Sequence, residues 1–173
     1  MGFATLERDP RPALRRRTTL LKRLIMTLVH QTLRAYWFFR RPVTKGARAI
    51  AITPGGRIIL IRHSYIPGWH LPGGGCRAGE EARAAVLREL REEIGLISHG
   101  GVEFLAEYAH VIDFKDDRVS LFVATDVVYA AGRSLEVDEV MEFPMDDLPP
   151  GVSAPTRRRL AEFRGTAPIS REW

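Results

Sequence analysis

Apolar residues recur at helical spacing near the beginning of the chain, between residues 14 and 39. Their three- and four-residue steps place them along one face of a helix. The positions are Leu21, Leu24, Ile25, Leu28, Thr32, Ala35, Tyr36 and Phe39. Pro42 follows as a stop signal, whereas residues 1–13 show little periodicity. The pattern predicts an amphipathic helix preceded by a tail.

Beyond this helix the pattern changes to shorter segments typical of strands, interrupted by two helical ones. The predicted strands are Ala47–Thr53, Arg57–Arg62, Val102–Ile112, Val119–Val128 and Glu136–Phe143. The first two flank Pro54–Gly56 and form a predicted hairpin, and Lys115–Asp117 is the turn predicted between the next pair. One helix is predicted after the glycines at 73–75, and another at Pro155–Phe163 with its proline in the first turn. Strands on both sides of a central helix predict an α/β fold in which helices sandwich a mixed sheet.

Composition indicates one ordinary globular domain. The chain has 173 residues, of which 45% are hydrophobic and 27% charged, and this length suffices for one hydrophobic core. A single cysteine, Cys76, leaves no partner for a disulfide within this sequence and is typical of a reducing compartment. No apolar stretch has the form of a signal peptide or the length of a membrane span. We therefore expect a cytoplasmic protein.

Charge is divided unevenly along the chain. Residues 1–45 carry eleven Lys and Arg against Glu7 and Asp9, a net of +9, so the overall +5 leaves −4 for residues 46–173. We therefore predict two parts, a basic tail and amphipathic helix over residues 1–45 and a folded domain over residues 46–173.

The basic helix over residues 14–41 has two competing interpretations. Its apolar stripe packs against the domain or against a second subunit in a homodimer, as the stripes of most amphipathic helices do. Alternatively, the helix lies on an anionic membrane surface, with the aromatic residues of 36–39 at the headgroups and the basic side chains toward the lipid charge. Nucleic acid is not an expected partner, because nothing in the sequence indicates base readout.

An acidic helix follows the glycines in the segment Gly74–Leu96, GGCRAGEEARAAVLRELREEIGL. On a helical wheel of about 100° per residue, Glu89, Glu92 and Glu93 fall within an arc of roughly 100°. Like charges on one face weaken an isolated helix. A solvated acidic surface explains such a face, and so does a site for a hard divalent cation, which prefers oxygen ligands. The face alone leaves both interpretations open.

The spacing within this segment resembles the Nudix box, G-x5-E-x7-R-E-U-x-E-E-x-G-U, where U is a bulky aliphatic residue. All fixed positions match, at Gly74, Glu80, Arg88, Glu89, Leu90, Glu92, Glu93, Gly95 and Leu96. The resemblance implies a Nudix α/β/α sandwich with a mixed β-sheet from about Gly46 to Phe163, and it does not extend to the N-terminal helix. The strand-like Trp69–Gly73 and the segment Glu139–Leu148 agree with that family.

The family resemblance also implies a reaction. It is hydrolysis of a diphosphate linkage in a nucleoside diphosphate derivative (NDP-X) by water attack on phosphorus, with Mg²⁺ or Mn²⁺ as cofactor. The implied metal ligands are Glu89, Glu92, Glu93 and the carbonyl oxygen of Gly73. For the general base, Glu93 comes first, with Glu92 and Glu139 behind it. Arg88 is expected to brace a glutamate, and Glu80 is expected to be structural.

Four residues ahead of the box are candidates for substrate contacts. Arg62 and His63 end the second predicted strand, and they either meet a phosphate or are simply an exposed strand end. Tyr65 and Trp69 either stack on a base or fill the core. At His110–Asp113, some Nudix subfamilies carry a marker proline or tyrosine, and this chain has neither. The nucleotide-linked diphosphate is the default substrate, and house-cleaning pyrophosphatases, RNA-end hydrolases and lipid-linked diphosphate hydrolases stay open.

Two functions outside hydrolysis remain as alternatives. A non-catalytic Nudix-fold module that binds a nucleotide would be expected to lack box carboxylates, and none is missing here. A protein of the membrane surface would act through residues 14–41.

Overall fold

The computed structural model describes residues 43–112, 115–132 and 136–173. The elements are β1 (Val43–Ile52), β2 (Ile58–His63), β3 (Gly73–Gly75), α1 (Ala82–Ile94), β4 (Leu96–Ser98), β5 (Gly101–Ile112), β6 (Lys115–Thr125), β7 (Val128–Tyr129), β8 (Val137–Phe143) and α2 (Ala154–Phe163). The predicted N-terminal tail and helix lie outside the described residues, so both interpretations of residues 14–41 stay predictions. No helix within the described ranges is long and apolar enough to cross a membrane.

One mixed sheet carries the fold, in the order β5-β6-β1-β2-β8, with the short β3 added to β1. β1 pairs in parallel with β6, and the other ladders of this sheet are antiparallel. The predicted hairpin around Pro54–Gly56 is confirmed, because Ala51 pairs with Ile59 and Ile52 pairs with Ile58. β4 and β7 form a separate two-stranded sheet.

Side chains of the central strands alternate between the two faces of the sheet, so each strand contributes to two cores. The core against α1 includes Ala47, Ala49, Ala51, Ile59, Ile61 and Phe122. The core against α2 includes Ile50, Ile58, Leu60, Leu71, Tyr108 and Leu121. A helix therefore covers each face, and the predicted α/β/α sandwich with a mixed sheet is confirmed.

Helix α1 forms because residues 82–94 are rich in Ala, Leu, Arg and Glu and contain no Gly or Pro. It ends at Gly95, whose φ of 70° and N–H bond to the Arg91 carbonyl oxygen make it the C-cap. Burial of Leu90 and Ile94 against the sheet contributes roughly 1.5–3 kcal/mol each. That packing fixes the rotation of the helix and therefore the direction of its glutamates.

The starts of β6 and β1 differ from the prediction. Lys115–Asp117, predicted as a turn, are the first residues of β6 and pair with β5, and Asp116 and Asp117 also pair with β1. Charged residues are typical of turns, but two neighbouring strands satisfy the backbone here and outweigh that propensity. β1 begins at Val43, four residues before its predicted start at Ala47. The closing helix agrees with the prediction, with Pro155 in its first turn.

Candidate active site

Glu93 lies where α1 faces the glycine-rich loop. Its side chain is 6% exposed, and its Oε2 accepts a hydrogen bond of 2.7 Å from the Gly73 N–H. Burial raises the pKa of Glu93 to about 7, although the Gly73 N–H and the Arg48 guanidinium oppose that shift. The carboxylate is thus held in place by the loop and largely shielded from bulk water.

Gly73 and Gly74 allow this loop to approach its neighbours closely. Gly73 has a φ of 135°, and a Cβ there would overlap the Ala47 carbonyl oxygen. A Cβ on Gly74 would lie 2.6 Å from Oε1 of Glu89. Only glycine at these two positions leaves room for β3 to pair with β1 and for the Glu89 carboxylate to lie against the loop.

Arg88 joins the loop to three glutamates of the box. Its Nε and Nη2 each donate to one oxygen of Glu80 at 3.0 Å, which is the bidentate geometry expected of an arginine brace. Its Nη1 donates to Glu89 at 2.6 Å and to Glu92 at 3.2 Å. Its Nη2 also donates to the Gly75 carbonyl oxygen at 2.9 Å. The hydrogen bonds from Arg88 lower the pKa of Glu80 to about 2, so this carboxylate stays ionised.

A cavity of about 380 Å³ brings Glu89 and Glu93 together with the loop glycines. Its other charged or aromatic lining residues are Lys45, Arg48, His63, Tyr65, Asp117 and Glu136. Glu92 lies outside this cavity, where Arg88 and Arg77 bind it at the surface. Of the three carboxylates that the helical wheel places together, two therefore open into one cavity.

The oxygen donors at this cavity suit a hard divalent cation. Mg²⁺ commonly takes one or two carboxylates together with phosphate oxygens of a substrate, and Glu89 and Glu93 are carboxylates of that kind. The carbonyl oxygen of Gly73 stays the predicted third donor. Within the described residues, no three His, Cys, Asp or Glu side chains are close enough together to hold a metal ion. Two carboxylates at one cavity fit a cation that also takes phosphate oxygens of the substrate.

His63 and Tyr65 line this cavity beside the box carboxylates. His63 is buried, with its Nε2 3.9 Å from Oε1 of Glu93 and its Nδ1 3.3 Å from the Glu136 carbonyl oxygen. The interpretation of His63 as an exposed strand end is therefore wrong, because β8 and α1 cover it. Tyr65 is 63% exposed, and its ring centroid lies 5.2 Å from that of His63.

Arg62 contacts both Glu139 and Trp69 away from this cavity. Arg62 Nη2 donates to Oε2 of Glu139 at 3.0 Å, and the Arg62 guanidinium lies 4.8 Å from the Trp69 ring centroid. Trp69 is 5% exposed and packs edge-on against Phe143 in the core beneath α2. Of its two interpretations, Trp69 therefore fills the core. None of the three lines the cavity that contains Glu93.

A second cavity of about 340 Å³ adjoins the first. Both are lined by Arg48, Ile66, Asp117 and Val119. The second continues from these residues toward the beginning of α2 and Trp173. The Arg48 side chain is fixed between the two cavities, because its Nη1 donates to the Leu71 carbonyl oxygen at 2.8 Å.

A larger cleft of about 840 Å³ runs beside the box loop. It contains the exposed ring of Phe104 and the ion pair of Arg118 with Glu107, whose charged atoms are 3.3 Å apart. The carboxylates of Glu89 and Glu93 do not line it. Volume alone would favour this cleft, but the box carboxylates favour the smaller cavity as the site of chemistry.

Arg48 and Glu136 both line the cavity of Glu89 and Glu93 but are not among the site residues predicted from the sequence. Glu136 precedes β8 and reaches the cavity through the pairing of β8 with β2, which no local pattern encodes. The position of Arg48 in the sequence could have indicated a role, because a charged residue inside the apolar segment of a central strand is rarely buried without a partner.

Comparison with known proteins agrees with the box. The NUDIX domain matches residues 42–163 of the chain. The chain is 52% identical over 44 residues to the RNA pyrophosphohydrolase of Dinoroseobacter shibae, covering 25% of this chain and 27% of that protein. It is 36% identical over 90 residues to the RNA pyrophosphohydrolase of Acidiphilium cryptum, covering 48% and 53%. The crystal structure of a MutT NUDIX hydrolase from Burkholderia pseudomallei has a TM-score of 0.59 at 27% identity, covering 68% of this chain and 95% of that one. The chain thus matches about half or less of the length of these two curated relatives.

Proposed function

The chain belongs to the NUDIX domain family, and on that premise we propose that it hydrolyses a diphosphate linkage in a nucleoside diphosphate derivative, NDP-X. Hydrolases of this family generally need a divalent metal ion, which we propose to be Mg²⁺ or Mn²⁺ here. One observation carries the proposal. Glu93 is a buried box carboxylate that faces a cavity shared with Glu89 and the loop glycines.

The chemical difficulty of the reaction is charge. A diphosphate repels a nucleophile, and negative charge on its oxygens must be balanced while the bond to phosphorus breaks. When bound, a divalent cation neutralises part of this charge and makes a coordinated water easier to deprotonate. The chain itself supplies Lys45 and Arg48, two cations in the wall of the cavity, which attract and orient the diphosphate.

Glu93 is our first candidate for the general base that takes the proton of the attacking water. It lines the cavity, and the Gly73 N–H holds one of its two oxygens in a fixed position. Glu92 and Glu139 rank lower, because arginines bind both of them outside the cavity. Glu136 lines the cavity and takes their place as the second candidate.

Arg88 acts as a positioning residue in this proposal. Its bidentate pair with Glu80 anchors the guanidinium to the loop, and its Nη1 then fixes the Glu89 carboxylate. The side chain does not line the carboxylate cavity, so it has no direct access to a diphosphate there.

The second cavity is the proposed site of the nucleoside. It shares Arg48 with the cavity of Glu89 and Glu93, which is the proposed diphosphate site. None of the box carboxylates line it. Three curated relatives are named RNA pyrophosphohydrolases, so 5′-triphosphorylated RNA belongs in a substrate panel beside the nucleoside diphosphate derivatives.

The test is this panel, assayed with Mg²⁺ or Mn²⁺ and again after chelation of the metal. We expect metal-dependent cleavage of a phosphoanhydride bond, and we expect Glu93→Gln to lower turnover by roughly 10²–10⁴-fold. Glutamine keeps an acceptor for the Gly73 N–H, so the fold is retained. Glu103→Gln, which changes an exposed carboxylate on β5, is the matched control.

Undiminished turnover in Glu93→Gln would refute its assignment as the base, and Glu136→Gln would then be assayed in the same panel. Binding of nucleotides by the wild-type protein without turnover of any member would favour the non-catalytic binding module.

A further inference from the structure

The segment after α2 returns along the edge of the sheet and reaches the second cavity. On the edge strand β5, the Ala109 N–H donates to the Arg171 carbonyl oxygen at 2.9 Å. The Trp173 N–H donates to the Ala109 carbonyl oxygen at 3.1 Å. These two bonds form a short parallel bridge between Glu172 and β5. We refer to residues 170–173 as the tail segment.

A buried arginine of α2 also holds the tail segment. Arg159 is fully buried, and its Nη1 donates to the Glu172 carbonyl oxygen at 2.6 Å. Its Nη2 donates to Ser170 Oγ at 2.9 Å and to Glu162 Oε1 at 2.7 Å. Glu162 in turn accepts the Ser170 N–H at 3.1 Å and the Tyr108 hydroxyl at 2.8 Å. One ion pair therefore connects α2, β5 and the tail segment.

Stability alone does not account for this cluster. An apolar pair of similar volume often stabilises a core as well as a buried ion pair does. Apolar side chains, however, make no directional bonds to a backbone carbonyl oxygen or a hydroxyl, whereas the planar guanidinium of Arg159 makes several in fixed directions. The cluster therefore indicates a need to hold the tail segment in one position.

Trp173 is the residue that this arrangement positions. Its indole ring packs edge-on against Tyr108, with the ring centroids 5.8 Å apart and the planes at 65°. The Arg159 guanidinium lies 5.7 Å from the indole centroid. The indole is partly buried and lines the second cavity, which Arg48 also lines. A large planar surface therefore forms part of a cavity that adjoins the diphosphate site.

We propose that Trp173 determines specificity by stacking on the nucleobase of the substrate, and that Arg159 is the positioning residue that holds Trp173 at the cavity. This inference rests on the proposed function, because it assigns the second cavity to the nucleoside. Stacking on an indole accepts any base but requires that one be present. The tail segment therefore selects substrates that carry a heteroaromatic base over polyphosphates that carry none.

The test compares the binding of a nucleotide with the binding of a polyphosphate that has no base. Dissociation constants are measured by calorimetry, on the full chain with Mg²⁺, for α,β-methylene GTP, whose α–β bridge cannot be hydrolysed, and for inorganic tripolyphosphate. For Trp173→Ala we expect the Kd of the GTP analogue to rise roughly 10- to 100-fold and the Kd of tripolyphosphate to stay unchanged. Trp173→Phe keeps an aromatic face and recovers most of the affinity. Ile169→Ala, at an exposed neighbouring position, is the control and binds like the wild type.

Arg159→Met tests the positioning role. We expect it to weaken binding of the GTP analogue and not of tripolyphosphate, a difference that general loss of structure would not produce. If circular dichroism shows that Arg159→Met does not fold, Ser170→Ala removes only the two hydrogen bonds of one hydroxyl, from Arg159 and to the Glu172 carbonyl oxygen, and is expected to show the same difference at smaller size.

Equal affinity of wild type and Trp173→Ala for the GTP analogue would overturn the inference, and so would absence of nucleotide binding by the wild type. Neither result depends on turnover. A Trp173 effect on binding without hydrolysis of any panel member would refute only the hydrolase proposal, and hydrolysis without a Trp173 effect would refute only this inference.

Discussion

Two arginine–glutamate clusters, one on each helix, are built from the same chemical groups and differ in what covers them. In the α1 cluster, Arg88 binds several box glutamates and a loop carbonyl oxygen at the protein surface. In the α2 cluster, Arg159 binds Glu162 and the carbonyl oxygen of Glu172 in the tail segment, and the Arg159 side chain has no exposed surface. The residue types alone therefore do not decide whether a ligand can reach such a cluster. The α2 cluster is buried beneath the tail segment, whereas the α1 cluster is not.

The clusters also differ in their balance of charge. Arg88 offers one positive charge to the three carboxylates of Glu80, Glu89 and Glu92, so negative charge remains in excess. Arg159 faces the single carboxylate of Glu162, so that pair is neutral. Excess negative charge beside a cavity attracts a cation, whereas a neutral buried pair holds structure. The comparison predicts that removal of Arg88 lowers activity more than stability, and that removal of Arg159 lowers stability more than removal of Arg88 does.

The largest expected effect on stability is that of Arg159→Ala. Removal of the guanidinium leaves the Glu162 carboxylate buried without its cation, which lowers the free energy of unfolding by about 3–5 kcal/mol. Urea unfolding followed by circular dichroism measures this change. Arg157→Ala, at an exposed position two residues earlier on α2, is the matched control and is expected within about 0.5 kcal/mol of wild type. Equal losses in Arg159→Ala and Arg157→Ala would show that the buried pair with Glu162 does not stabilise the fold.

Arg88→Ala comes next and should act mainly on activity. Loss of the brace frees the Glu89 carboxylate, and we expect kcat/KM to fall by roughly 10–100-fold, as for other residues that orient metal ligands. The free energy of unfolding should fall by only about 1–2 kcal/mol, because the cluster is partly hydrated. Steady-state kinetics and urea unfolding are compared with those of Arg91→Ala, an exposed arginine of the same helix. A loss of stability as large as that of Arg159→Ala, with activity unchanged, would contradict the comparison.

The smallest effect concerns pH, where the two clusters should lose stability at opposite ends of the range. Hydrogen bonds from Arg88 lower the pKa of Glu80 from 4.5 to about 2, so its contribution is complete above pH 4.5 and is lost as the pH falls towards 2. Burial and the hydrogen bond to Glu162 raise the pKa of Tyr108 from 10.0 to about 12. Its contribution is complete below pH 10 and is lost as the pH rises towards 12.

Urea unfolding of wild type, Glu80→Gln and Tyr108→Phe over this pH range separates the two contributions. Glu80→Gln should flatten only the acid side of the stability profile, and Tyr108→Phe only the alkaline side. Each variant serves as the control of the other, and a change on both sides in either one would show that the clusters are coupled.

Much of the fold could be predicted because periodicity and turn residues are local signals. The hairpin around Pro54–Gly56, the cap at Gly95 and the proline of the closing helix all follow from neighbouring residues, and the structure agrees with them. Lys115–Asp117 shows the limit of such signals. Its charges favour a turn, but pairing with β1, a strand distant in the sequence, makes it part of a strand.

The part of the candidate site that lies on one helix could be predicted from the sequence. A helical wheel gives the directions in which Glu92 and Glu93 point. It does not show which other parts of the chain cover them, so it could not predict that Glu93 is buried and Glu92 exposed. Arg48 and Trp173 come to the neighbouring cavities from distant parts of the chain. Their positions at the cavities depend on the order of strands in the sheet and on the tail segment. The spacing of residues within the box encodes neither.

Of the three strands that pair with β1, β2 is synthesised soon after it and β6 much later. Ile52 pairs with Ile58 soon after both are synthesised, but Val43 must wait for Asp116 of β6. At about 5–20 residues per second, translation keeps that edge of β1 without its parallel partner for some seconds. Pairing between distant segments is also slow in itself, because a long loop must close first. β1, the strand that contains Arg48, therefore has an unpaired, apolar edge during synthesis. Until β6 has been made, this edge must be protected from pairing with neighbouring chains.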